Sequence, residues 1–360
     1  MGRKQCLLGD VLKFGNGKAR PKSEGSRPIY GGNGILGYTA ENNYEGEIIV
    51  IGRVGAYCGA TYYENRPIWV SDNALAAIPK DNNDAKYLYY FLKKMDLNQH
   101  AEGSSHPLIT QTLLNSLDIE ISYELSEQKA IALILSSLDD KIDLLHRQNK
   151  TLEAMAETLF RKWFVEKAED DWEGGKIPDE FDYVMGLSPP GISYNEIGEG
   201  IPMFQGNADF EFRFPKRRIY TTDPKRYAEK FDTLISVRAP VGAQNMAKEK
   251  CCIGRGVAAF RYKRNNDYYT YAYFKLKSLM KEIQSFNDTG TVFGSISKAD
   301  FEGFDIIIPP NELVDKFQTE AKPIDDKVIS NTFQIRTLEK LRDTLLPKLM
   351  SGEVLVKYEN

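Results

Sequence analysis

Residues 32–37 read Gly-Asn-Gly-Ile-Leu-Gly, which fits the pattern G-x-G-x-x-G. After a buried strand, that pattern lets a tight turn and a helix N-terminus approach the pyrophosphate of a dinucleotide. It requires a helix opening on the glycines and an acidic residue about 20 positions later. The residues that follow here, 38–46, are polar, aromatic and turn-like. The context therefore argues against a nucleotide site and favours a glycine-rich turn.

Two other kinds of chemistry are also poorly supported. An amino-methyltransferase would need an Asn/Asp-Pro-Pro-Tyr/Phe loop to hold a flipped base, and the comparable stretch is Ser188-Pro-Pro-Gly191. That stretch lacks both the amide acceptor and the stacking aromatic ring. The glycine-lysine loop that binds ATP phosphates is absent from the sequence. The residues therefore indicate neither methyl transfer nor ATP-driven translocation.

The composition describes a reduced, globular protein without a metal site. None of the four cysteines forms a C-x-x-C motif, and the three histidines are scattered, so a zinc site is not expected. Apolar runs such as Ile48–Ile51 are far too short to span a bilayer, and no basic-then-apolar leader opens the chain. We expect a cytoplasmic protein of two or more domains with no membrane contact.

Positive charge is concentrated in short stretches, although the net charge is -4. One stretch, Arg213–Tyr220, places four cations among aromatic residues. Lys and Arg reach phosphates, and Arg also reads base edges. Each residue taken singly also fits a plain surface role. As a group, the predicted DNA-facing residues are Lys18, Arg20, Lys22, Arg53, Tyr57, Arg213, Lys216, Arg217, Arg218, Lys225, Arg226, Arg238 and Arg255.

The turns at Gly103–His106 and Gly290–Thr291 are further candidates for phosphate contact through backbone amides, or they are ordinary turns. Both belong to an internal repeat, since residues 103–121 resemble residues 290–308 at one constant offset. A repeat of this length means that one structural unit is built twice.

The repeat also explains the glycine-rich stretch. Pro28–Asn33 recurs as Pro202–Asn207, where the later glycines of G-x-G-x-x-G are lost. Both copies keep a strand-like run followed by Gly-Asn, which is a hairpin signal. The sequence therefore predicts a hairpin in each copy.

Each copy contains a strand-rich part and then a long amphipathic helix. Apolar and β-branched runs predict strands at Glu47–Ile51, Ala74–Ile78 and Leu234–Val237. Shorter helices are expected at Tyr87–Leu92 and Tyr268–Phe274. The long helices are expected at about 126–167, with Ser126 as a candidate N-cap, and at about 312–350.

Both long helices carry a heptad seam, because apolar residues recur at alternating spacings of four and three. We expect the helices to pair antiparallel, with facing residues whose numbers sum to 480, so that Asn149 faces Asn331 and Trp163 faces Phe317. Leu138 then faces Arg342, whose side chain would reach solvent. Two alternatives stay open: unrelated helices on local cores, or a different register with both asparagines exposed. The predicted pairing residues include Leu135, Ile142, Asn149, Leu152, Val328, Asn331, Leu338 and Leu345.

Five stretches are characteristic of one protein family, namely Leu8–Asp10, Leu138–Ile142, Gly186–Pro202, Asn149–Glu153 and Leu346–Gly352. Together with two strand-rich domains, each followed by a copy of one long helix, they resemble the specificity subunit of Type I restriction-modification enzymes. The second domain lacks a clear Leu-Gly-Asp start, so its first strand or helix is expected to be shortened.

The resemblance implies an α+β fold: two mixed α/β target-recognition domains related by an internal repeat and joined by a long antiparallel two-helix coiled coil. The implied segments are recognition domain 1 (1–124), spacer helix 1 (125–168), recognition domain 2 (169–310) and spacer helix 2 (311–360).

The resemblance also implies a function. Each domain would read one half of an asymmetric, bipartite site in double-stranded DNA, and the helices would fix the gap. Two methyltransferase subunits carrying S-adenosylmethionine would bind the helices, and restriction and translocase subunits would join them. The chain itself would hold no cofactor or metal and catalyse nothing.

Two other functions remain open from the residues, namely a self-contained DNA methyltransferase and a coiled-coil adaptor without a DNA role. The pairs Asp139–Asp140 and Asp325–Asp326 lie on the predicted helices. They fit either a solvated helix face or a methyltransferase interface. The bases that are read do not follow from the sequence, since loops carry the specificity.

Overall fold

The computed structural model describes residues 2–80, 82–103, 107–169, 171–287 and 294–357. By its internal contacts the chain forms two units. The first comprises Met1–Asp143 with Arg336–Asn360, and the second comprises Leu144–Ile335. Each unit thus combines a strand-rich segment with parts of both long helices, whereas the sequence suggested four successive segments.

The first unit contains short strands, three short helices, and the start of a long helix. Two of its strands, Ile48–Gly52 and Thr61–Glu64, are rich in β-branched and aromatic residues, which favour extended structure. Its elements are β1 (Arg3–Leu7), α1 (Leu8–Val11), β2 (Leu12–Asn16), β3 (Arg27–Gly31), β4 (Gly34–Thr39), β5 (Ile48–Gly52), β6 (Thr61–Glu64), β7 (Trp69–Val70), β8 (Ala74–Pro79), α2 (Ala85–Met95), α3 (Gln111–Ser116), β9 (Asp118–Ser122) and α4 (Leu125–Phe164).

The second unit repeats this order with additional short strands. Its elements, with the last helix shared by both units, are β10 (Glu173–Lys176), α5 (Ile177–Glu180), β11 (Phe181–Met185), β12 (Tyr194–Asn195), β13 (Ile201–Phe204), β14 (Ile219–Thr221), β15 (Tyr227–Ala228), β16 (Thr233–Ser236), β17 (Gln244–Met246), β18 (Cys251–Ile253), β19 (Val257–Tyr262), α6 (Tyr269–Ser278), α7 (Met280–Gln284), α8 (Lys298–Gly303), β20 (Asp305–Ile308) and α9 (Asn311–Ser351).

The sheets of the two units correspond one to one. The first unit has sheets ordered β1-β9, β2-β8-β5-β6 and β4-β3-β7, and the second has β10-β20, β11-β19-β16-β17 and β12-β14-β13-β18-β15. In each unit one strand pair is parallel, β3 with β7 and β13 with β18, and the other pairs are antiparallel. The internal repeat and the α+β class are therefore confirmed, as are the expected strands at β5, β8 and β16 and the helices α2 and α6.

The second domain starts with the same two elements as the first: its strand β10 has four residues where β1 has five, and its helix α5 has four residues like α1. In the first unit Leu8 is buried, and Asp10 accepts a hydrogen bond from the Leu7 amide at 2.9 Å. In the second unit Ile177 is buried, and Asp179 accepts from the Lys176 amide at 2.7 Å. Ile-Pro-Asp thus occupies the place of Leu-Gly-Asp, because the position needs only a buried apolar residue and a capping carboxylate.

Both copies form the predicted antiparallel strand pair, but only the first copy has the tight Gly-Asn turn. β3 and β4 are joined by the two-residue turn Gly32-Asn33, and Gly34 follows with a φ of 82°, a conformation that glycine adopts without steric cost. In the second copy, residues 205–218 separate β13 from β14, although these strands still pair antiparallel. We call residues 205–218 the recognition segment.

The long helices pair antiparallel within the second unit. Trp163 of α4 contacts Phe317 of α9 with ring centroids 6.2 Å apart, while Asn149 lies against Thr332. Residue numbers fall along one helix as they rise along the other, as antiparallel packing requires. In both contacts the two residue numbers add up to within one of the predicted sum of 480. Helix α4 begins at Leu125, so Ser126 lies inside it and is not the N-cap.

The seam of each helix is buried or partly buried along its whole length. Asn149 and Asn331 are both buried, which rules out the register that exposes them. Asn149 donates to Thr332 Oγ1 at 3.2 Å and Asn331 to Gln148 Oε1 at 3.5 Å. Neither Oδ1 atom has a hydrogen-bond partner in the described structure, so the expected bond between the two amides does not form.

Arg342 does not extend to solvent as expected. Its guanidinium donates to Asp139 at 2.7 Å, and Asp139 also accepts from the Tyr90 hydroxyl at 2.7 Å. Burial and this second hydrogen bond raise the pKa of Tyr90 above its usual value, so the hydroxyl stays a donor. This chain of contacts connects α2, α4 and α9 inside the first unit.

The described residues contain no helix with the length and apolar content needed to cross a membrane.

Phe317→Ala should lower the free energy of unfolding by about 3 to 5 kcal/mol, the usual loss for a fully buried Phe. Phe317 is fully buried, and its ring contacts those of Phe160 and Phe164. Chemical denaturation followed by circular dichroism would measure the loss. Leu341→Ala, on an exposed part of the same helix, is the control and should cost under about 1 kcal/mol. Equal losses in the two variants would contradict this packing.

Candidate nucleic-acid interface

The predicted cations of the first domain lie on the loop between β2 and β3. Lys18, Arg20 and Lys22 are exposed there, and none forms an ion pair within the described residues. A Cβ atom added to Gly37 would lie 2.6 Å from Arg20 Nη2. Gly37, the last glycine of the G-x-G-x-x-G stretch, therefore leaves space for the Arg20 side chain. Local packing thus accounts for this glycine without a bound nucleotide.

Arg53 and Tyr57 follow β5, and their side chains differ in how accessible they are to solvent. The Arg53 amide donates to Asn73 O at 3.0 Å, and its carbonyl accepts from Ile109 at 2.9 Å. Its Nε is buried without a hydrogen-bond partner. Tyr57 is 53% exposed. The structure thus presents the Tyr57 ring to solvent, while Arg53 is partly enclosed.

In the second domain, the three exposed cations of the recognition segment are all paired with acids. Lys216 lies 3.9 Å from Glu211, and Arg217 forms an ion pair with Glu249. Arg218 forms an ion pair with Asp209, whose side chain is buried. Each pair is partly exposed, so each contributes modestly and could exchange its acid for a phosphate.

Arg238 and Arg255 form a different kind of surface. Both are exposed, and both line a cleft of about 480 Å³ together with Gly186 and Ser295. No acid pairs with either arginine in the part of the chain that the structure describes. We call these two residues the unpaired arginines. Because no ion pair must be broken first, they are better placed than Arg217 and Arg218 to bind phosphate.

Lys225 and Arg226 lie just before β15. Lys225 pairs with Asp223 at 2.7 Å, and Arg226 is exposed. The predicted cations of the second domain therefore occupy the loops at the ends of its strands, the usual position for contact residues on a rigid scaffold.

Arg213 is the one predicted contact that the structure contradicts. Its side chain is only 1% exposed and forms an ion pair with Asp325 of α9. The guanidinium also stacks over the Tyr273 ring, 3.8 Å from the centroid. A buried, paired guanidinium cannot reach DNA. The sequence placed Arg213 among the contacts because it is adjacent to exposed cations.

The aspartate pairs are not simply solvated. Asp139 and Asp325 lie in the interior contacts already described, and Asp325 also accepts from Thr270 Oγ1 at 3.0 Å. Asp326 accepts a hydrogen bond from the Tyr269 hydroxyl. The solvated-face explanation is wrong for Asp139 and Asp325, whereas it fits Asp140, which is exposed, and Asp326, whose side chain is 44% exposed and pairs with Lys322.

The described residues hold no group of histidine, cysteine, aspartate and glutamate side chains that could bind a metal. Ser188 accepts a hydrogen bond from the Arg255 amide at 3.3 Å, so the Ser-Pro-Pro-Gly turn serves to hold a loop near the unpaired arginines. Residues 104–106 and 290–291, the candidate phosphate turns, lie outside the described residues.

Sequence reasoning missed two residues that shape this surface. Asp209 holds Arg218, and Phe214 stacks on Phe333 of α9 with ring centroids 5.0 Å apart. A possible signal was the Phe-rich run around residue 212, which is too apolar for a wholly exposed loop.

Two segments of the chain, residues 4–154 and 167–335, match the family model described as Type I restriction modification DNA specificity domain. The two matches correspond to the two copies of the repeat, and together they cover most of the chain.

Relatives from one archaeon are similar over much of the chain. A protein of Methanocaldococcus jannaschii, named as a candidate type I restriction enzyme MjaX specificity subunit, is 34% identical over 288 residues. That match covers 76% of this chain and 66% of the relative, slightly under two thirds of its length. The type I restriction enzyme MjaIX specificity subunit of the same organism is 27% identical over 349 residues, covering 87% of this chain and 78% of the relative.

A crystal structure of a Type-I restriction-modification system S subunit from M. genitalium has a similar fold. It aligns over 97% of this chain and 96% of its own, with a TM-score of 0.71 and 20% sequence identity. At this identity the similarity establishes the fold alone.

Replacing both unpaired arginines, Arg238 and Arg255, with Ala should weaken binding to every DNA sequence. The slope of log K against log salt should fall by up to about 1.8, because each lost phosphate contact removes about 0.9. Fluorescence anisotropy with a labelled duplex, across a salt series, would measure this for the chain with its partner subunits.

The double change Arg217→Ala and Arg218→Ala should lower the slope less, because these residues already have acid partners. Arg264→Ala is the matched control, since Arg264 pairs with Asp315 on the surface of the same unit. If the slope of log K against log salt is unchanged in the Arg238 and Arg255 variant, the unpaired arginines do not contact DNA phosphates.

Proposed function

The chain belongs to the family of Type I restriction-modification DNA specificity proteins, and we propose that it recognises a bipartite, asymmetric DNA site and serves as a scaffold for methyltransferase and restriction subunits. Each strand-rich domain reads one half of the site. The long helices set the distance between the halves and bind the partner subunits.

The observation that carries this proposal is the duplication of one recognition architecture with different surface residues. Both units have three corresponding sheets, the third with two extra strands in the second unit, yet the first presents cations on the β2–β3 loop and the second on other loops. Equal scaffolds with unequal loops are suited to two unequal DNA half-sites. If one domain alone recognised the DNA site, the second domain would not be needed for recognition.

The chain contributes recognition and no catalysis. Family membership supports this division of labour, and the sequence has no target-base loop of the methyltransferase type. S-adenosylmethionine is held by the methyltransferase subunits in this proposal. All four cysteines are free thiols, which supports a cytoplasmic location.

Helix α4 offers a surface for a partner subunit. In the second unit it carries a shallow groove of about 640 Å³ lined by Ala154, Met155, Thr158 and Leu159, among others. Met155 is 51% exposed, and methionine adapts to partner surfaces. Two methyltransferase subunits, with restriction and translocase subunits added to them, are the partners that we propose.

Two other functions make different predictions. A self-contained methyltransferase would transfer labelled methyl groups from S-adenosylmethionine to DNA without any other subunit. A coiled-coil adaptor would support complex assembly and leave the DNA affinity of its partners unchanged. The exposed, unpaired arginines favour DNA binding over the adaptor role.

Single-molecule methylation sequencing of cells with and without the gene would test the proposal. Loss of the gene should abolish adenine methylation at one two-part motif, and the purified chain alone should transfer no methyl groups. An unchanged methylome, or methyl transfer by the isolated chain, would contradict the proposal.

Helices α4 and α9 each pass from one unit to the other near Asp143 and Arg336. Inserting one heptad at both places adds about 10 Å of helix. The gap in the methylated motif should grow by about three base pairs, since DNA rises about 3.4 Å per pair. An insertion in only one helix shifts the pairing and should abolish methylation. An unchanged gap after the double insertion would refute this role.

A further inference from the structure

The recognition segment is attached to helix α9 by two successive side chains. Arg213 and Phe214 are buried, whereas the neighbouring Lys216, Arg217 and Arg218 are exposed. Arg213 pairs with Asp325, and Phe214 stacks on Phe333, both on α9. Asp325 and Phe333 are about two turns apart. Two separated contacts fix the direction of the segment as well as its distance from the helix.

This attachment holds the backbone in a conformation that it would not otherwise prefer. Arg213 has a φ of 65°, in the left-handed region that non-glycine residues rarely adopt. Its carbonyl accepts a hydrogen bond from the Met246 amide at 2.9 Å. The contacts of Arg213, rather than its own backbone preference, therefore stabilise this conformation.

In the first repeat, the aspartate of the long helix pairs with an arginine from a different element. Asp139 corresponds to Asp325, and its arginine partner is Arg342 of the opposite helix. Thr337-Leu-Glu339 aligns with Thr151-Leu-Glu153, so Arg342 corresponds to Ala156 in the second repeat. Ala156 is fully buried and carries no charge. The second repeat thus draws its arginine from the recognition segment, whereas in the first repeat β3 and β4 are joined by a two-residue turn.

We propose that Arg213 and Phe214 are positioning residues for DNA recognition by the second domain. They hold Lys216, Arg217 and Arg218 at a fixed place relative to helix α9. This inference rests on the proposed function and adds a specific asymmetry to it. Disturbing the attachment changes recognition of one half-site and leaves the other half-site unaffected.

Hydrogen exchange on the full-length chain tests the attachment without DNA. The test variant combines Arg213→Met with Asp325→Leu, because removing both charges avoids leaving one buried and unpaired. Amides of residues 207–218 should exchange at least about tenfold faster, while those of α9 remain protected. Arg342→Met with Asp139→Leu removes the corresponding pair in the first repeat and is the matched control. Unchanged exchange in 207–218 would overturn the attachment.

The single change Phe214→Leu provides a milder second variant that keeps the ion pair. It should raise exchange in the same residues by a smaller factor, because a leucine fills part of the space but cannot stack on Phe333. If the ion-pair variant fails to fold, unchanged exchange in the Phe214 variant overturns the attachment.

The second readout is discrimination between DNA duplexes by the assembled complex. Duplexes carry one altered base pair in either half of the methylated motif. The ion-pair variant should lose about tenfold or more of its discrimination in one half and keep it in the other. A uniform loss, or no loss, would overturn the positioning role. Absence of discrimination by the unmodified complex would instead contradict the proposed function.

Discussion

A long amphipathic helix cannot bury its own apolar seam, and the rest of this structure depends on that constraint. Helices α4 and α9 have 40 and 41 residues, and each seam is covered by the other helix within both units. The main core of each unit includes residues from both helices, such as Leu135 with Leu349 and Phe160 with Phe317. The sheets therefore pack on a helix pair, and without that pair each unit would lose part of its core.

The two repeats show how one scaffold accommodates different charge arrangements. Each places an aspartate of the long helix, Asp139 or Asp325, beside a hydroxyl from a short helix that packs on it, α2 in the first repeat and α6 in the second. An unpaired carboxylate there would be costly, so each repeat supplies an arginine. Because the arginines come from different elements, the second domain ties its recognition segment to the helix and the first does not.

Local periodicity allowed much of the fold to be predicted. The seams, the β5 and β8 strands and the helices α2 and α6 follow from patterns within a few residues of each other. The start of the second domain escaped recognition because Ile177-Pro-Asp179 shares chemistry with Leu-Gly-Asp and little sequence identity. Its structural requirement, a buried apolar residue with a capping carboxylate, is met by several residue combinations.

The candidate site was predicted less completely. Charge clustering identified exposed residues such as Lys18 and Arg255, but it could not separate them from Arg213. The partner of Arg213, Asp325, lies far along the chain, and only the packing of the recognition segment on α9 brings them together. Glu249, which pairs with Arg217, is likewise distant in sequence, and Asp209, although only nine residues from Arg218, meets it only through the local fold of the recognition segment. Whether a cation is free or paired is a property of the tertiary structure.

In the proposed function, two structurally equivalent domains contact two separate blocks of one DNA site. Hydroxyl-radical footprinting of the assembled complex, on a duplex containing its methylated motif, tests this most directly. Two protected blocks of backbone separated by a less protected gap are expected, and replacing Arg238 and Arg255 by Ala should weaken protection of one block. A single continuous block, or equal weakening of both blocks in that variant, would contradict this arrangement.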